Sequence, residues 1–430
     1  MPEKIDNRKN IIIIAPFWKR RDHIGWYRVD RFLRWLCNEN YNVTIIWSGW
    51  KDNIVKTNKW IELEIRDPLR RFTKTGNVKN LNHDEVVKKT FSFRNFIKKI
   101  VFYFDNYFIW SLVLTRKDIV KNACKDTDII ISSSPPESVH LASYVLAKKF
   151  SLKLVMDMRD GWIDEPMRKY RGKWSIKKMI ERRWELKVLL KASQIFVTSK
   201  NWKKLLEERI PIASKKTTIL TNAYPIDFDT PENQQHQKPL SSILLLHTGR
   251  FLGTRETNKM NILLDPLFKV LKPKEDLAAR IMLMGNIKLE ELNESKEWER
   301  KFSNSLSSII HKDRIERTEM FSELAKANGL LLLAATKAFF PSKTFEYIKS
   351  AKPILAVTMK GSTIWEVGND LPQMFIFDYS AEELDYTPIE KFLDACRTGS
   401  YDYKIPEEFS EEYLSKIFLD KINQIKLSNR

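Results

Sequence analysis

Cysteine is scarce in this chain: three residues among 430, at Cys37, Cys124 and Cys396. They are odd in number, far apart, and lack metal-ligand or redox spacing. That excludes a disulfide framework and a cysteine-built metal centre, and favours reduced thiols in a cytosolic protein. No apolar run is long enough to span a bilayer. The polar start, Met1 to Asn10, does not read as a signal peptide. Internal repeats and low-complexity tracts are lacking too. What these absences leave is a soluble chain, cytoplasmic in setting or peripheral on a membrane face.

With 43% hydrophobic residues the chain is globular, and its length allows two or three cores. The formal charge of +19 is unevenly spread. Residues 1–222 hold 46 Lys and Arg against 24 Asp and Glu, a net of +22; residues 223–430 hold 28 against 31, a net of −3. The basic character belongs to the first half, which suggests that this half meets something anionic.

The first half alternates strands and helices. Strands are expected at Asn10–Ala15, Val43–Trp47, Asp128–Ser132, Lys153–Met156 and Gln194–Thr198. Helices are expected at Trp26–Asn38, Ser138–Phe150 and, strongly basic, Lys173–Lys191. Residues 51–125 are less regular and read as an insertion plus helices. A polar segment with three prolines, Tyr224–Ser241, is the best linker. A second alternation follows, with strands at Ser242–Leu246, Arg280–Met284, Leu330–Leu333 and Ile354–Val357, and a last helix over Glu411–Ile425. Such alternation implies doubly wound parallel sheets. The fold class is therefore α/β, with two Rossmann-like domains facing a cleft. Their expected bounds are residues 1–222, a linker at 223–241, residues 242–405, and a C-terminal helix at 406–430 that packs back on the first domain.

One run stands out: Phe339-Phe340-Pro341-Ser342-Lys343-Thr344-Phe345-Glu346-Tyr347, between two buried-strand patterns. Pro341 and Ser342 read as a helix start that sets the amides of Lys343 and Thr344 at a positive helix end, with Glu346 one turn inside. Amides and lysine suit a diphosphate and the carboxylate suits ribose hydroxyls, so the run can hold a sugar nucleotide. An ordinary strand–helix–strand unit with Ser342 as a simple cap reads equally well.

Three further stretches lie at strand ends. The loop from Pro16 to Gly25 carries Lys19, Arg20, Arg21 and His23 and leads to Arg28. Gly25 permits close backbone approach, while each basic residue singly reads as a solvated turn. Ser132-Ser133-Ser134-Pro135-Pro136 supplies hydroxyls and amides, or plain capping. Asp157-Met158-Arg159-Asp160 brackets an arginine with carboxylates, an arrangement that is costly after a buried strand unless used; a structural ion pair is the alternative. In the second half come His247-Thr248-Gly249-Arg250, with Arg255 and Lys259 beyond, and Gly285-Asn286.

Together these stretches resemble GT-B glycosyltransferases, in particular the family 4 group that builds surface polysaccharides from nucleotide sugars. The likeness spans most of the chain. It implies a donor site formed by Gly25, Gly249, Arg250, Arg255 or Lys259, Gly285, Ser342, Lys343, Thr344 and Glu346. It implies an acceptor site with His23, Arg28, Ser133, Ser134 and Asp157, and catalysis by Asp160, Arg159 and Arg250. Asp160 would contact sugar hydroxyls or accept the acceptor's proton. Arg159 would bind an anionic sugar or orient Asp160, and cations after the strand would neutralise the departing diphosphate. Two departures stand out: many relatives have a histidine near Arg159, and the first of two glutamates eight residues apart falls at Ala338. The resemblance also implies retention of configuration and no metal or other cofactor; no Asp-x-Asp pair occurs in a donor-binding context. Asp105-Asn106 looks like a family feature.

Two basic segments suggest an anionic membrane surface as a further partner. Arg94–Lys117 interleaves cations with Phe96, Phe102, Tyr103, Phe104, Tyr107, Phe108 and Trp110, which can equally fill the core. Arg168–Lys191 sets ten Lys and Arg against Glu181 and Glu185 and is the better candidate. No nucleic-acid-binding motif accompanies the charge. The expected function is sugar transfer from a nucleotide sugar to a polysaccharide or lipid-linked saccharide. A nucleotide-sugar epimerase or hydrolase of the same fold is the alternative, and a basic nucleic-acid-binding protein a more distant one.

Overall fold

A computed structural model describes residues 9–21, 23–70, 105–165, 175–230, 238–249, 260–285, 308–334 and 336–426, with isolated positions at Asn293, Lys296, Glu297 and Arg300. The chain divides into two compact units. One comprises Met1–Thr198, Lys203–Leu220 and Ser415–Arg430; the other comprises Ser199–Trp202 and Thr221–Leu414.

The first unit is built on eight strands: β1 (Asn10–Ile14), β2 (Asn42–Gly49), β3 (Asn53–Lys56), β4 (Ile61–Arg66), β5 (Ile129–Ser134), β6 (Lys153–Met158), β7 (Ala192–Val197) and β8 (Thr217–Ile219). Their spatial order is β3-β4-β2-β1-β5-β6-β7-β8. All neighbours are parallel except β3 against β4. Ile11 to Ile14 of β1 and Ile129 to Ile131 of β5 are wholly buried, as strands covered by helices on both faces must be. β3 and β4 lie in the stretch that sequence reading leaves irregular. The exposure of Ile54, Val55 and Lys56 explains why no core pattern marks β3. The order reverses at β1, so the carboxyl ends of β1 and β5 bound the crevice where this topology takes ligands.

The last helix, Glu411–Asn423, contributes Phe418 to this unit. Its ring stacks on Phe32 at 4.5 Å and contacts Trp35 and Phe196. Lys9 Nζ donates to the carbonyls of Ile422 and Asn423 at 3.0 and 3.2 Å, a cation at the negative end of the helix.

The second unit holds β9 (Ser242–Thr248), β10 (Ala278–Met284), β11 (Ser308–Lys312), β12 (Gly329–Leu333), β13 (Ile354–Thr358) and β14 (Met374–Asp378), in the order β11-β10-β9-β12-β13-β14, all parallel. Alternate residues feed two cores. Leu245, Leu331, Leu333, Leu355 and Val357 enter one; Leu246, Leu330, Leu332, Ile354 and Ala356 enter the other. The switch point lies between β9 and β12. Tyr224 and Phe228, in the segment that reads as a linker, are buried in this unit: Phe228 stacks on Phe321 at 4.6 Å, and the Tyr224 amide donates to Phe409 O at 2.9 Å. Two aromatic anchors among prolines leave no periodic signal, so composition alone reads this packed stretch as a linker. Among the described residues no helix is long and apolar enough to cross a membrane.

Candidate functional site

At the carboxyl ends of β5 and β6 the first unit buries an ion pair. Arg28 Nε donates to both Asp157 oxygens at 2.9 Å and Nη2 to Oδ1 at 2.7 Å, while Nη2 also reaches Leu220 O at 2.8 Å. Ser133 Oγ donates to Asp157 Oδ2 at 2.7 Å. Both charged side chains are almost fully buried. The three groups satisfy one another, as buried charges must. This corrects the acceptor-binding expectation for Arg28, Ser133 and Asp157: they tie β5, β6 and the helix Ile24–Asn38 together. Ser134 is likewise buried and offers its carbonyl, not its hydroxyl, to Arg159. His23 has a local role. Its Nδ1 accepts from the Gly25 amide at 3.1 Å, capping the helix, and its ring stacks on Phe17 at 4.4 Å.

Arg159 and Asp160 occupy a deep position at the end of β6 with only part of their surface in contact with solvent. Arg159 donates from Nε to Ser134 O at 2.8 Å and from Nη2 to Pro135 O at 2.7 Å, and lies over the Phe17 ring at 5.5 Å. Gly25 makes room for it: a β-carbon there would fall 2.6 Å from Arg159 Nη1 and 2.8 Å from Phe17 Cζ. Gly25 therefore seats an arginine, whereas the sequence suggests a backbone approach to a ligand. Burial raises the Asp160 carboxyl above its usual range, with Arg159 opposing the shift. Asp160 forms no side-chain hydrogen bond with the described residues. Asp105 caps the helix Ser138–Lys149, accepting from the Ser138 amide at 2.8 Å and its hydroxyl at 2.7 Å.

The second unit gathers its candidates at the ends of β9, β10 and β12. Lys343 opens the helix Lys343–Lys349 and sends Nζ to Thr248 O at 2.7 Å and His247 Nε2 at 3.1 Å. His247 Nδ1 lies 2.9 Å from Leu331 O. A carbonyl only accepts, so Nδ1 carries the proton and Nε2 accepts from the ammonium. Burial lowers Lys343 to about 7, Glu346 partly offsetting it, and holds His247 well below its ordinary value. Gly249, at φ +91°, and Gly285, at φ +144°, belong to touching loops: a β-carbon on Gly285 would meet Gly249 O at 2.7 Å, and one on Gly249 would lie 3.7 Å from Lys343 Nζ. Two glycines and a lysine read from separate motifs thus share one place.

The helix itself differs from expectation. It has seven residues, Ser342 makes no side-chain cap, and the Thr344 amide is spent on Pro341 O at 3.0 Å. Thr344 is wholly buried, its hydroxyl without a hydrogen-bond partner. The positive charge here comes from Lys343 rather than from Ser342, Thr344 or a long helix dipole. Glu346 is held by Arg317, Nη1 to Oε1 at 3.1 Å, and Arg317 also faces Asp227 at 3.4 Å. Arg317 begins a separate helix 29 positions upstream, so no local motif marks it. Tyr347 is buried, its hydroxyl accepting from the Thr248 amide at 2.8 Å. Arg250, Arg255, Lys259 and Asn286 lie outside the described residues. Among the described residues no group of three or more His, Cys, Asp or Glu is placed to hold a metal ion.

No family model matches the chain, and no curated protein does. Solved structures do. A sucrose-phosphate synthase from Thermosynechococcus elongatus superposes at TM-score 0.62 with 10% identity, over 97% of this chain and 99% of that one. Anabaena HepE, solved with UDP and glucose, gives 0.57 at 12% identity, over 97% and 100%. The lipopolysaccharide outer core galactosyltransferase WaaB gives 0.54 at 12%, over 96% and 99%. The chain has the two-domain GT-B fold of these glycosyltransferases.

Proposed function

We propose that the chain is a glycosyltransferase that moves a sugar from a nucleotide-sugar donor to a saccharide or lipid-linked acceptor. The second unit takes the donor. Lys343 meets the diphosphate, the crossing of Gly249 and Gly285 lets it approach the backbone, and Glu346, oriented by Arg317, takes the ribose hydroxyls. The observation that carries this reading is the half-buried Lys343 ammonium, lowered to about 7 by desolvation, at the junction of two glycine loops. A cation so poorly solvated gains much from a diphosphate partner. HepE, solved with UDP and with UDP-glucose, supports the same donor class.

Departure of a nucleoside diphosphate develops negative charge. Lys343, with Arg250 and either Arg255 or Lys259, is assigned to stabilise it. No metal enters this scheme. The first unit is assigned the acceptor, with Asp160 contacting its hydroxyls or taking its proton and Arg159 holding Asp160 in place. Retention of configuration, with the leaving phosphate as an alternative proton acceptor, belongs to the same proposal.

A thermal-shift screen of nucleoside diphosphates and their sugars, followed by transfer assays with the stabilising donor, tests the reading. Stabilisation by one nucleotide family, lost in Glu346→Ala and Lys343→Ala, is expected. No stabilisation by any, or stabilisation untouched by both substitutions, contradicts it.

A further inference from the structure

The basic helix Ile176–Lys191 is packed inside out. Its inward face buries two carboxylates, Glu181 and Glu185, beside Val188 and Leu189. Its outward face exposes Ile176, Met179, Ile180, Leu186 and Leu190, at 74, 57, 37, 40 and 49%. At 3.6 residues per turn these five form one stripe along the helix. Arg183 and Lys187 stand within that stripe, both exposed, and Arg182 and Lys191 border it.

The rotation of the helix is fixed from within. Arg209 clamps Glu185 and bonds Asp164 Oδ2 from Nε and Nη2 at 3.0 and 2.8 Å. Turning the apolar stripe inward would expel Glu185 from that pair. The neighbouring helix Ser138–Lys149 packs alongside, with Tyr144 edge-on to Trp184 at 6.2 Å, and adds the exposed Val145. At the end of the stripe lies an open depression of about 540 Å³, lined by Lys148, Lys153, Lys187 and Lys191 with Tyr144 and Ser151. Four ammonium groups around one hollow suit phosphate oxygens.

We propose that this face docks on an anionic lipid bilayer, the stripe entering the headgroup boundary while the lysines and arginines meet lipid phosphates. The two features need one occupant that is both apolar and negatively charged at its surface. Nucleic acid would use the cations but leave five apolar side chains in water. A second copy joined symmetrically would set this basic face against itself. The proposal does not depend on sugar transfer.

Co-sedimentation of the full chain with phosphatidylcholine vesicles, with and without phosphatidylglycerol, is the test. Association with the phosphatidylglycerol vesicles alone is expected, and high salt should weaken it. Replacing Arg183 and Lys187 by Gln should lower partitioning on the order of 30-fold. Met179→Ser with Ile180→Ser should lower it by about tenfold or more. All four positions are exposed, so circular dichroism and the melting temperature should not move. Equal binding to both vesicle types, no binding to either, or undiminished binding by the folded variants would overturn the proposal. A dimer dispersed by these substitutions, or nucleic-acid binding in place of vesicle binding, would overturn it too.

Discussion

At the residue scale, several side chains have duties that only their partners reveal. Arg28 and Asp157 are 129 positions apart, and each stands in a motif suggestive of ligand contact. The structure pairs them, buried and bidentate. Asp157→Ala should therefore cost about 3–5 kcal/mol of stability by stranding the Arg28 charge, measurable by denaturant unfolding. Gly25→Ala drives a methyl into Arg159 and Phe17. It should destabilise by about 1–3 kcal/mol and, under the proposed function, depress transfer by displacing the arginine beside Asp160. A folded Gly25→Ala enzyme of undiminished activity would remove Arg159 from the proposed site. The cluster of Lys343, Gly249 and Gly285 was legible as separate motifs, because lysine and glycine at strand ends carry local meaning. Arg317 and the capping role of His23 were not, since one partner is distant and the other is a neighbour's amide.

At the element scale, legibility followed unbroken apolar runs rather than burial alone: β4 buries four of its six residues, two of them glutamates, and reads as irregular. β1, β9, β12 and β13 are near-continuous apolar runs and declare themselves as interior parallel strands. β3 and β11 expose part of their length, so their residues show no core pattern, and β8 is only three residues long. The basic helix is the instructive case. Its composition reads as charged, yet charge alone does not say which face turns out. The buried pair of Glu185 and Arg209 decides that. The C-terminal helix gives the clearest packing prediction: Phe418 is fully buried against Phe32, Trp35 and Phe196, so Phe418→Ala should destabilise by about 3–5 kcal/mol. A melting temperature unchanged by that substitution would contradict the packing.

For the whole molecule, two unlike charge distributions serve two proposed tasks. The basic first half has the field for an anionic surface, while the nearly neutral second half sets a half-buried lysine, Lys343, at the proposed donor site. Salt separates the two. Surface attraction is screened over about 8 Å at physiological ionic strength, whereas a buried contact is screened much less. Raising salt should release the chain from vesicles while leaving nucleotide-sugar affinity within a few fold.

The central claim is that Lys343 receives the donor diphosphate, and calorimetric titration of a nucleotide sugar at pH 6 and pH 9 tests it most directly. The free lysine titrates near 7, and an anionic ligand raises that value. Binding above 7 must therefore take up a proton, and affinity should fall by up to about tenfold per pH unit. Lys343→Ala should bind on the order of 10- to 100-fold more weakly at pH 6 and lose the pH dependence. A wild-type affinity that stays level from pH 6 to pH 9, matched by the alanine variant, would contradict the account.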